Sequence, residues 1–248
     1  MDYDKKIYMV TTMKIFIAGT DTDVGKTHVT AALCALLLQK GLHVGVIKWI
    51  STGAKGKSAD IDCVIRWAER ATMCRGSKLS VSCPCCLEFP ASPHLSAAIE
   101  KKDINVHEII ERTKQLEQQC DVVLVEGVGG LMVPINQETL LIDLMKEVNY
   151  PVVLVARTGL GTINHTLLSA EAISARDLEL KAIVMNEIGF QGKRDETHKT
   201  IVADNLAIVG TLSKTRVYGP IPYGEDILSD KVQGILAPLV NVLEEGTS

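Results

Sequence analysis

Aromatic side chains are scarce in this sequence: they make up only 4% of its 248 residues, although 46% of the residues are hydrophobic. A large core therefore has to be built from valine, isoleucine, leucine and alanine. This composition suits buried parallel strands that are covered by helices. The length is enough for one sizeable core, and we expect a single domain over residues 1–248 with a short extension at residues 1–12.

An excess of positive charge and long apolar runs are also missing. The formal net charge is −4, so neither nucleic acid nor an anionic membrane surface is an expected partner. No run approaches the roughly 18 apolar residues that a membrane span requires. Residues 1–13 lack the apolar stretch of a signal peptide, so we expect a cytoplasmic protein.

The seven cysteines do not follow the spacing of a disulfide framework or of a zinc finger. Their number is odd, which favours reduced thiols in a chain of this length. The cluster Cys83-Pro84-Cys85-Cys86 is compatible with a metal site, but no second Cys or Cys–His pair follows at zinc-finger spacing. We therefore favour buried or incidental thiols over a metal centre.

Apolar runs of strand length alternate with segments of helical periodicity along the chain. Strands are predicted at residues 14–18, 44–47, 121–126, 151–156 and 181–185, and helices at residues 27–42, 60–71, 106–119, 162–175 and 227–244. Residues 73–93 contain scattered Cys, Pro and Ser without a period, and we expect an irregular segment there. The alternation predicts an α/β fold with a mostly parallel sheet and helices on both faces.

A phosphate-binding loop is predicted after the first strand. Gly19 and the later Gly25-Lys26-Thr27 flank five residues, where the usual P-loop pattern has four. The strand before the loop and the helix after it let backbone N–H groups and a helix N-terminus face the phosphates. Lys26 is expected to contact the β- and γ-phosphates of ATP, and the Thr27 hydroxyl to bind Mg²⁺. A glycine-rich turn without this function is the alternative, which the context disfavours.

Charged residues stand near the ends of two further strands. Glu126 ends one strand, and the glycines after it allow close approach of phosphate or substrate. Asp60, or the nearby Asp62, follows a loop at the same edge, and carboxylate oxygens are ligands that Mg²⁺ prefers. Lys48 ends the second strand, where an ammonium can neutralise charge on a transferred phosphoryl group. Solvated strand-end side chains are the alternative for Lys48 and Glu126.

The segment Gly-Thr-Asp-Thr-Asp-Val-Gly-Lys-Thr at residues 19–27 resembles the signature of the dethiobiotin synthetases, which has the same additional residue. The resemblance continues at Lys48 to Gly53, Ser92-Pro93-His94, Val125 to Gly130, Leu160 to His165, and Asn186. These segments span residues 14–223 in the family's order and spacing. Together they are far more specific than the P-loop alone.

The resemblance implies a P-loop NTPase fold and an ATP- and Mg²⁺-dependent cyclo-ligase of biotin biosynthesis. The family joins 7,8-diaminopelargonic acid to CO₂ and closes a cyclic urea, giving dethiobiotin, ADP and phosphate. One substrate amine captures CO₂ as a carbamate, and a carbamate oxygen attacks the γ-phosphate of ATP to give a carbamic–phosphoric anhydride. The second amine then closes the ring and expels phosphate.

The family's functional residues carry over to the positions that match. Lys26 and Lys48 are implied to be catalytic, by stabilising the transferred phosphoryl group. Asn186 is implied to bind the adenine. The implied metal ligands are Thr27, Asp60 and Glu126. The implied nucleotide-binding residues are Thr22, Asp23, Val24, Gly25, Lys26, Thr27, His28, Asp60, Glu126, Gly127, Val128, Gly129, Asn186, Glu187, Pro222 and Tyr223. The implied substrate-binding residues are Thr52, Gly161 and Asn164.

The family works as a homodimer with the substrate at the subunit interface. Gly161 and Asn164, at the start of a predicted helix, are implied to meet the carboxylate of a substrate held with the neighbouring subunit. Two features depart from the family: the cluster at residues 83–86, and Trp49, where the family usually has proline. We expect the bulky indole to affect substrate fit rather than the type of reaction.

Two related classes share this type of P-loop. A cobyrinic acid a,c-diamide synthase-like amidotransferase needs a glutamine-hydrolysing domain, and we expect too little chain for one after residue 225. Partition or septum-site ATPases typically carry a second lysine early in the loop, where this chain has Thr20 and Asp21. The number of matched motifs favours the cyclo-ligase over both.

Overall fold

Parallel strands dominate the protein, as seen in a computed structural model that describes residues 12–72, 77–188 and 192–245. The strands of this part are β1 (Met13–Gly19), β2 (Val44–Lys48), β3 (Ile50–Thr52), β4 (Leu79–Ser82), β5 (Cys85–Leu87), β6 (Val122–Glu126), β7 (Val152–Arg157), β8 (Leu180–Asn186) and β9 (Val217–Ile221). Seven of them form a sheet in the order β4-β2-β6-β1-β7-β8-β9, in which every neighbouring pair is parallel. Strands β3 and β5 form a second, two-stranded parallel sheet.

Helices accompany the strands along the chain. Those of the described residues are α1 (Lys26–Gln39), α2 (Ala59–Thr72), α3 (Pro93–Glu100), α4 (Val106–Glu117), α5 (Leu141–Val148), α6 (Thr162–Ser174), α7 (Glu196–Ser213) and α8 (Asp230–Glu245). None of these helices is both long and apolar enough to cross a membrane.

The main sheet separates two hydrophobic cores. Helices α1, α2 and α8 pack on one face, and helices α4 to α7 pack on the other. In β1, Ile15 and Ile17 belong to the first core, whereas Phe16 and Ala18 belong to the second. Because consecutive side chains of a strand point to opposite faces, a strand that is covered on both faces must be apolar at each position. The predicted α/β fold with helices on both faces is therefore confirmed.

Most predicted elements are confirmed, with ends that differ by at most three residues. The irregular segment predicted at residues 73–93 is wrong, because this region contains β4 and β5 and reaches the start of α3; its residues 73–76 lie outside the described part. Strand β4 lies at the edge of the sheet and is only half-buried, and β5 has three residues, so neither produces a clear pattern. Elements β3, α3, α5, α7 and β9 were not predicted either.

The cysteine cluster spans the loop after β4 and the start of β5, with Cys83 in the loop and Cys85 and Cys86 in the strand. Cys83 and Cys86 are free thiols whose Sγ atoms are 3.3 Å apart. Burial raises the pKa of Cys83, and it raises the pKa of Cys85 to about 11. A raised pKa makes a thiol a weaker nucleophile and metal ligand. Among the described residues, no three or more His, Cys, Asp or Glu side chains are arranged to hold a metal, and Cys74 lies outside that part.

Trp49, which follows β2 directly, is fully buried in the second core. Its ring packs edge-on against Phe16 with 4.8 Å between the ring centroids, and its indole N–H donates to Thr113 Oγ1 over 3.0 Å. The side chain of the preceding Lys48 instead reaches Asp60 and Glu126. The indole is thus part of the protein interior, where it supports the strand that presents Lys48.

We predict that Trp49→Ala destabilises the protein by about 3–5 kcal/mol, because it leaves a large cavity and removes the hydrogen bond that the indole donates to Thr113 Oγ1. Chemical denaturation gives the free energy of unfolding. Leu212→Ala, at a side chain that is 57% exposed, serves as the control and should change that free energy by less than about 0.5 kcal/mol. A loss of similar size in both variants would contradict the buried position of Trp49.

Candidate active site

A cavity of about 750 Å³ opens where β1, β2 and β6 end. This is the edge at which ligands bind in open α/β sheets. The predicted site residues that line it are Thr22, Asp23, Gly25, Lys26, Thr27, His28, Lys48, Thr52, Asp60, Glu126, Val128, Gly129 and Tyr223. Residues from five separate stretches of the sequence therefore meet at one cavity.

Other predicted residues lie around this cavity without lining it. Val24 and Gly127 are buried beneath the loops, and Pro222 is half-buried next to Tyr223. Asn186 and Glu187 are buried at the end of β8. Gly161 and Asn164 lie apart from the cavity, at the start of α6, where both are exposed.

The P-loop connects β1 to α1, and Gly25 precedes the first turn of the helix with φ = 95°. This left-handed conformation is readily available only to glycine. A Cβ atom at Gly25 would lie 2.1 Å from Asn186 Nδ2, which is far inside van der Waals contact. Two separate constraints thus require glycine at position 25: the left-handed backbone conformation and the close approach of the Asn186 amide.

Lys26 is buried, and its ammonium donates to the carbonyl oxygens of Asp21 and Gly129, each at 2.8 Å. Burial and the nearby Lys48 ammonium lower the pKa of Lys26 to about 8, against the opposing attraction of Glu126, Asp60 and Asp21. Carbonyl dipoles stabilise an ammonium less than carboxylates do. Among the described residues, the Lys26 ammonium therefore has no carboxylate as a direct hydrogen-bond partner. This arrangement suits a cation that binds phosphate.

Three oxygen-bearing side chains converge beside it. Thr27 Oγ1 lies 3.0 Å from Asp60 Oδ1 and 2.7 Å from Glu126 Oε1. Asp62 is exposed, whereas Asp60 forms a hydrogen bond with Thr27. Asp60 is therefore the carboxylate that reaches the P-loop. Hydroxyl and carboxylate oxygens are hard ligands of the type that Mg²⁺ takes, with phosphate and water completing its octahedron. This donor set therefore fits Mg²⁺ bound together with a nucleotide.

Lys48 joins the same cluster from the end of β2. Its Nζ lies 2.8 Å from Asp60 Oδ2, 2.8 Å from Glu126 Oε1 and 3.0 Å from the Gly127 carbonyl oxygen. Burial by itself lowers the pKa of Lys48, but the carboxylates of Glu126 and Asp60 outweigh it, so the pKa lies above its ordinary value. Burial raises the pKa of Asp60, but the Lys48 ammonium and the Thr27 hydroxyl stabilise its carboxylate. The pKa of Asp60 therefore lies below its ordinary value. Lys48 is thus a firmly charged ammonium.

At the end of β8, the side-chain amide of Asn186 is buried, and its Nδ2 atom has no hydrogen-bond partner among the residues that the structure describes. Glu187 forms an ion pair with Arg194 Nε at 3.1 Å and a hydrogen bond with His198 Nε2 at 3.0 Å. Its carboxylate therefore connects β8 to the start of α7. Tyr223, which is 56% exposed, stands at the rim of the cavity.

Arg157, at the end of β7, is a site residue that the sequence analysis missed. It lines the cavity, and its guanidinium forms an ion pair of 2.8 Å with Asp21 in the P-loop. The signal was available, since Arg157 is a charged residue at the end of an otherwise apolar strand. It also lines a second cavity of about 300 Å³ together with Thr162 and His165 of α6.

Comparisons with known proteins give the family. The family model described as an AAA domain matches residues 13–230. The ATP-dependent dethiobiotin synthetase of Thermodesulfovibrio yellowstonii is 36% identical over 224 residues, which cover 88% of this chain and 91% of that protein. The chain belongs to the dethiobiotin synthetase family. A second family member, from Haemophilus influenzae, is 40% identical over 172 residues, which cover 69% of this chain and 90% of that protein.

Solved structures of similar fold are more distant from this dethiobiotin synthetase family member. Chloroplast FtsY from Physcomitrella patens superimposes with a TM-score of 0.50 at 18% identity, covering 94% of this chain and 65% of that chain. FtsY from Thermotoga maritima gives a TM-score of 0.50 at 17% identity, covering 94% and 68%. At such identities the likeness shows the fold alone.

We predict that Gly25→Ala abolishes nucleotide binding, because the new Cβ collides with the Asn186 amide and strains the loop that holds the phosphates. Gly41→Ala is a matched control: Gly41 has φ = 86°, and a Cβ there meets no atom within 4 Å. Both variants incur about 1–2 kcal/mol of backbone strain, and only Gly25→Ala should lose more than about tenfold in affinity for a fluorescent ATP analogue. Equal affinities in the two variants would contradict the steric role.

We also predict that affinity for metal-free ADP falls as the pH rises through about 8, the pKa of Lys26 in the free protein. Bound phosphate favours the ammonium, so above this pKa binding requires uptake of a proton and weakens by up to about tenfold per pH unit. Calorimetric titrations between pH 7 and 10 measure this dependence. Lys26→Gln should bind more weakly at pH 7 and show no decline near pH 8, and a decline that persists in Lys26→Gln would exclude Lys26 as its cause.

Proposed function

We propose that this chain is an ATP-dependent dethiobiotin synthetase that joins 7,8-diaminopelargonic acid and CO₂ into the cyclic urea of dethiobiotin and releases ADP and phosphate. Family membership supports the reaction type, and the relatives named above are dethiobiotin synthetases. The observation that carries the proposal is the convergence of Lys26 and Lys48 with Thr27, Asp60 and Glu126 on one cavity. Such a site can stabilise the negative charge of one triphosphate with two ammonium groups and with a metal ion held by three oxygen-bearing side chains.

The first step needs no catalytic base. A neutral substrate amine forms a bond to the carbon of CO₂ while one C=O bond becomes C–O⁻, and the nitrogen then loses one proton to solvent water, which leaves the carbamate. Thr52 lines the cavity within the second sheet, beside the end of β2. We propose that its hydroxyl contacts the reacting end of the substrate and holds the carbamate near the γ-phosphate, where proximity lowers the barrier.

The second step is phosphoryl transfer. A carbamate oxygen forms a bond to the γ-phosphorus, and the bond to the β–γ bridging oxygen breaks, giving ADP and a carbamic–phosphoric anhydride. The carbamate and the triphosphate are both anionic, so positive charge is needed to bring them together. Lys26 and Lys48 supply it in our proposal. Mg²⁺ held by Thr27, Asp60 and Glu126 would add Lewis-acid stabilisation of the phosphate oxygens.

The third step closes the ring. The second amine, in its neutral form, attacks the carbonyl carbon of the anhydride, the carbon–oxygen bond to phosphate breaks, and the leaving inorganic phosphate takes up the proton that the nitrogen loses. Exclusion of water protects the anhydride from hydrolysis. The deep, buried position of Lys26, Lys48 and Glu126 favours such exclusion.

The remaining predicted residues complete the proposal. Asn186 binds the adenine with its unpaired amide, near Glu187, Pro222 and Tyr223. The protein acts as a homodimer in the cytoplasm, and the first turn of α6, with Gly161 and Asn164, receives the substrate carboxylate of the neighbouring subunit. A helix N-terminus suits an anion. Next to it, the apolar side chain of Leu160 is fully exposed in the single chain, where a partner subunit would cover it.

The proposed reaction is tested by mixing the protein with Mg²⁺, ATP, bicarbonate and the diamino acid, and by following phosphate release with each component omitted in turn. We expect release to require all four and to match dethiobiotin formation measured by mass spectrometry. Phosphate release that does not depend on the diamine, with no cyclic urea formed, would instead favour a partition-type ATPase. Glutamine-dependent amide formation on another acid would favour the amidotransferase class.

Lys48→Ala should lower turnover by about 10²–10³-fold, because it removes one of the two cations near the transferred group. Lys40→Ala serves as the control, since Lys40 pairs with Glu244 on the surface and should leave turnover unchanged. Circular dichroism checks that both variants are folded. Unchanged turnover in Lys48→Ala would remove this lysine from the mechanism.

A further inference from the structure

The side chain of Lys48 lies among the very oxygens that are proposed to hold the metal. Its ammonium is 2.8 Å from Asp60 Oδ2 and 2.8 Å from Glu126 Oε1. Glu126 Oε1 is also the atom that accepts from Thr27 Oγ1, at 2.7 Å. A divalent cation that uses these three side chains therefore needs oxygens that the ammonium already engages.

We propose that the Lys48 ammonium and the divalent cation are alternative occupants of one position. In the nucleotide-free enzyme Lys48 takes the place of the metal between Asp60 and Glu126. It leaves these carboxylates when the cation arrives with the nucleotide, and it then turns to the phosphoryl group. This inference rests on the proposed metal ligands and adds a regulation of that same site.

The charges of the cluster favour such an exchange. Lys48 and Glu126 have side chains that are 6% and 2% exposed, so water screens their interactions poorly. Lys26 and Lys48 together balance Asp60 and Glu126, and the cluster is neutral as it stands. A dication added without phosphate would lie against two ammonium groups in a buried space, which is strongly unfavourable. A triphosphate supplies the negative charge that allows both the cation and the displaced ammonium to stay.

The displaced ammonium has a place to go. Lys48 already lines the cavity that faces the P-loop. Its four-carbon stem allows Nζ to move by rotation of its terminal bonds, without a change in the strand. Phosphate oxygens can then replace the two carboxylates as hydrogen-bond acceptors. By this exchange, Lys48 becomes available for phosphoryl transfer only after the metal and nucleotide are bound.

The test measures binding of Mn²⁺, a probe for Mg²⁺ that also takes oxygen ligands, by the electron paramagnetic resonance signal of the free ion. Neither diamino acid nor CO₂ is present, so the result does not depend on whether dethiobiotin is made. We expect nucleotide-free Lys48→Met to bind Mn²⁺ at least about tenfold more tightly than the wild type. With a non-hydrolysable ATP analogue, both proteins should bind Mn²⁺, and the difference between them should shrink.

Lys26→Met is the matched control. It removes an equal charge from the same cavity, but Lys26 contacts only carbonyl oxygens, so no carboxylate is released. Its gain in Mn²⁺ affinity should be clearly smaller than that of Lys48→Met, and Asp60→Asn combined with Lys48→Met should abolish the gain. Equal affinities in Lys48→Met and the wild type, or equal gains in the two lysine variants, would overturn the proposal.

A second measurement guards against a variant that folds poorly. If Lys48→Met leaves two carboxylates without a cation, Mn²⁺ should raise its melting temperature by more than it raises that of the wild type. The less perturbing Lys48→Gln variant should respond in the same direction. A thermal shift by Mn²⁺ that is no larger in either variant than in the wild type would also count against the exchange.

Discussion

The register between β2 and β6 is the constraint on which the site depends. Lys48 and Glu126 are direct partners in this parallel pair, and Glu126 is in turn the partner of Ile17 in β1. Strands β2 and β6 therefore end at one level, beside Ile17 of β1, and β1 continues for two more residues to Gly19, where the P-loop begins. A shift of one residue in a strand would reverse the faces of all its side chains. Buried apolar residues on both faces hold this register, so the two cores fix where the charges meet.

This placement creates an electrostatic asymmetry between the two lysines. Lys48 has two carboxylates as partners, and its pKa is raised, whereas Lys26 has two carbonyl oxygens, and its pKa is lowered. Burial penalises both ammonium groups, so the partners decide the sign of each shift. The four charges cancel overall, but Lys48 faces both carboxylates whereas Lys26 directly contacts neither. An incoming phosphate is attracted first to the lysine that lacks an anion, which is the one at the helix N-terminus.

Sequence reasoning identified the parts of this arrangement that depend on local pattern. The apolar strands, the P-loop and the charged ends at Lys48 and Glu126 are visible because each is a run or a spacing of a few residues. The half-buried edge strand β4 and helix α7, with few buried side chains, show no such pattern. The partners of the lysines could not be predicted, because Lys48 meets Glu126 across 78 positions and Lys26 meets Gly129 across 103. The burial of Trp49 could have been predicted from the sequence. Lys48 points into the site, and consecutive residues of a strand face opposite sides of the sheet, so Trp49 faces the other covered side.

The base end of the site follows from the same kind of constraint. Asn186 ends β8, where its buried Nδ2 atom lacks a partner within the described part of the chain and lies where a side chain at Gly25 would have to be. A buried donor without an acceptor costs free energy in the unliganded protein. An acceptor on a bound ligand removes that cost, so the amide favours a ligand that extends from the P-loop to β8. The missing side chain at Gly25 gives the amide its space. In the proposed function, phosphate binding and base binding would therefore depend on the same glycine, and the loop proposed to hold the phosphates would also shape the site for the base.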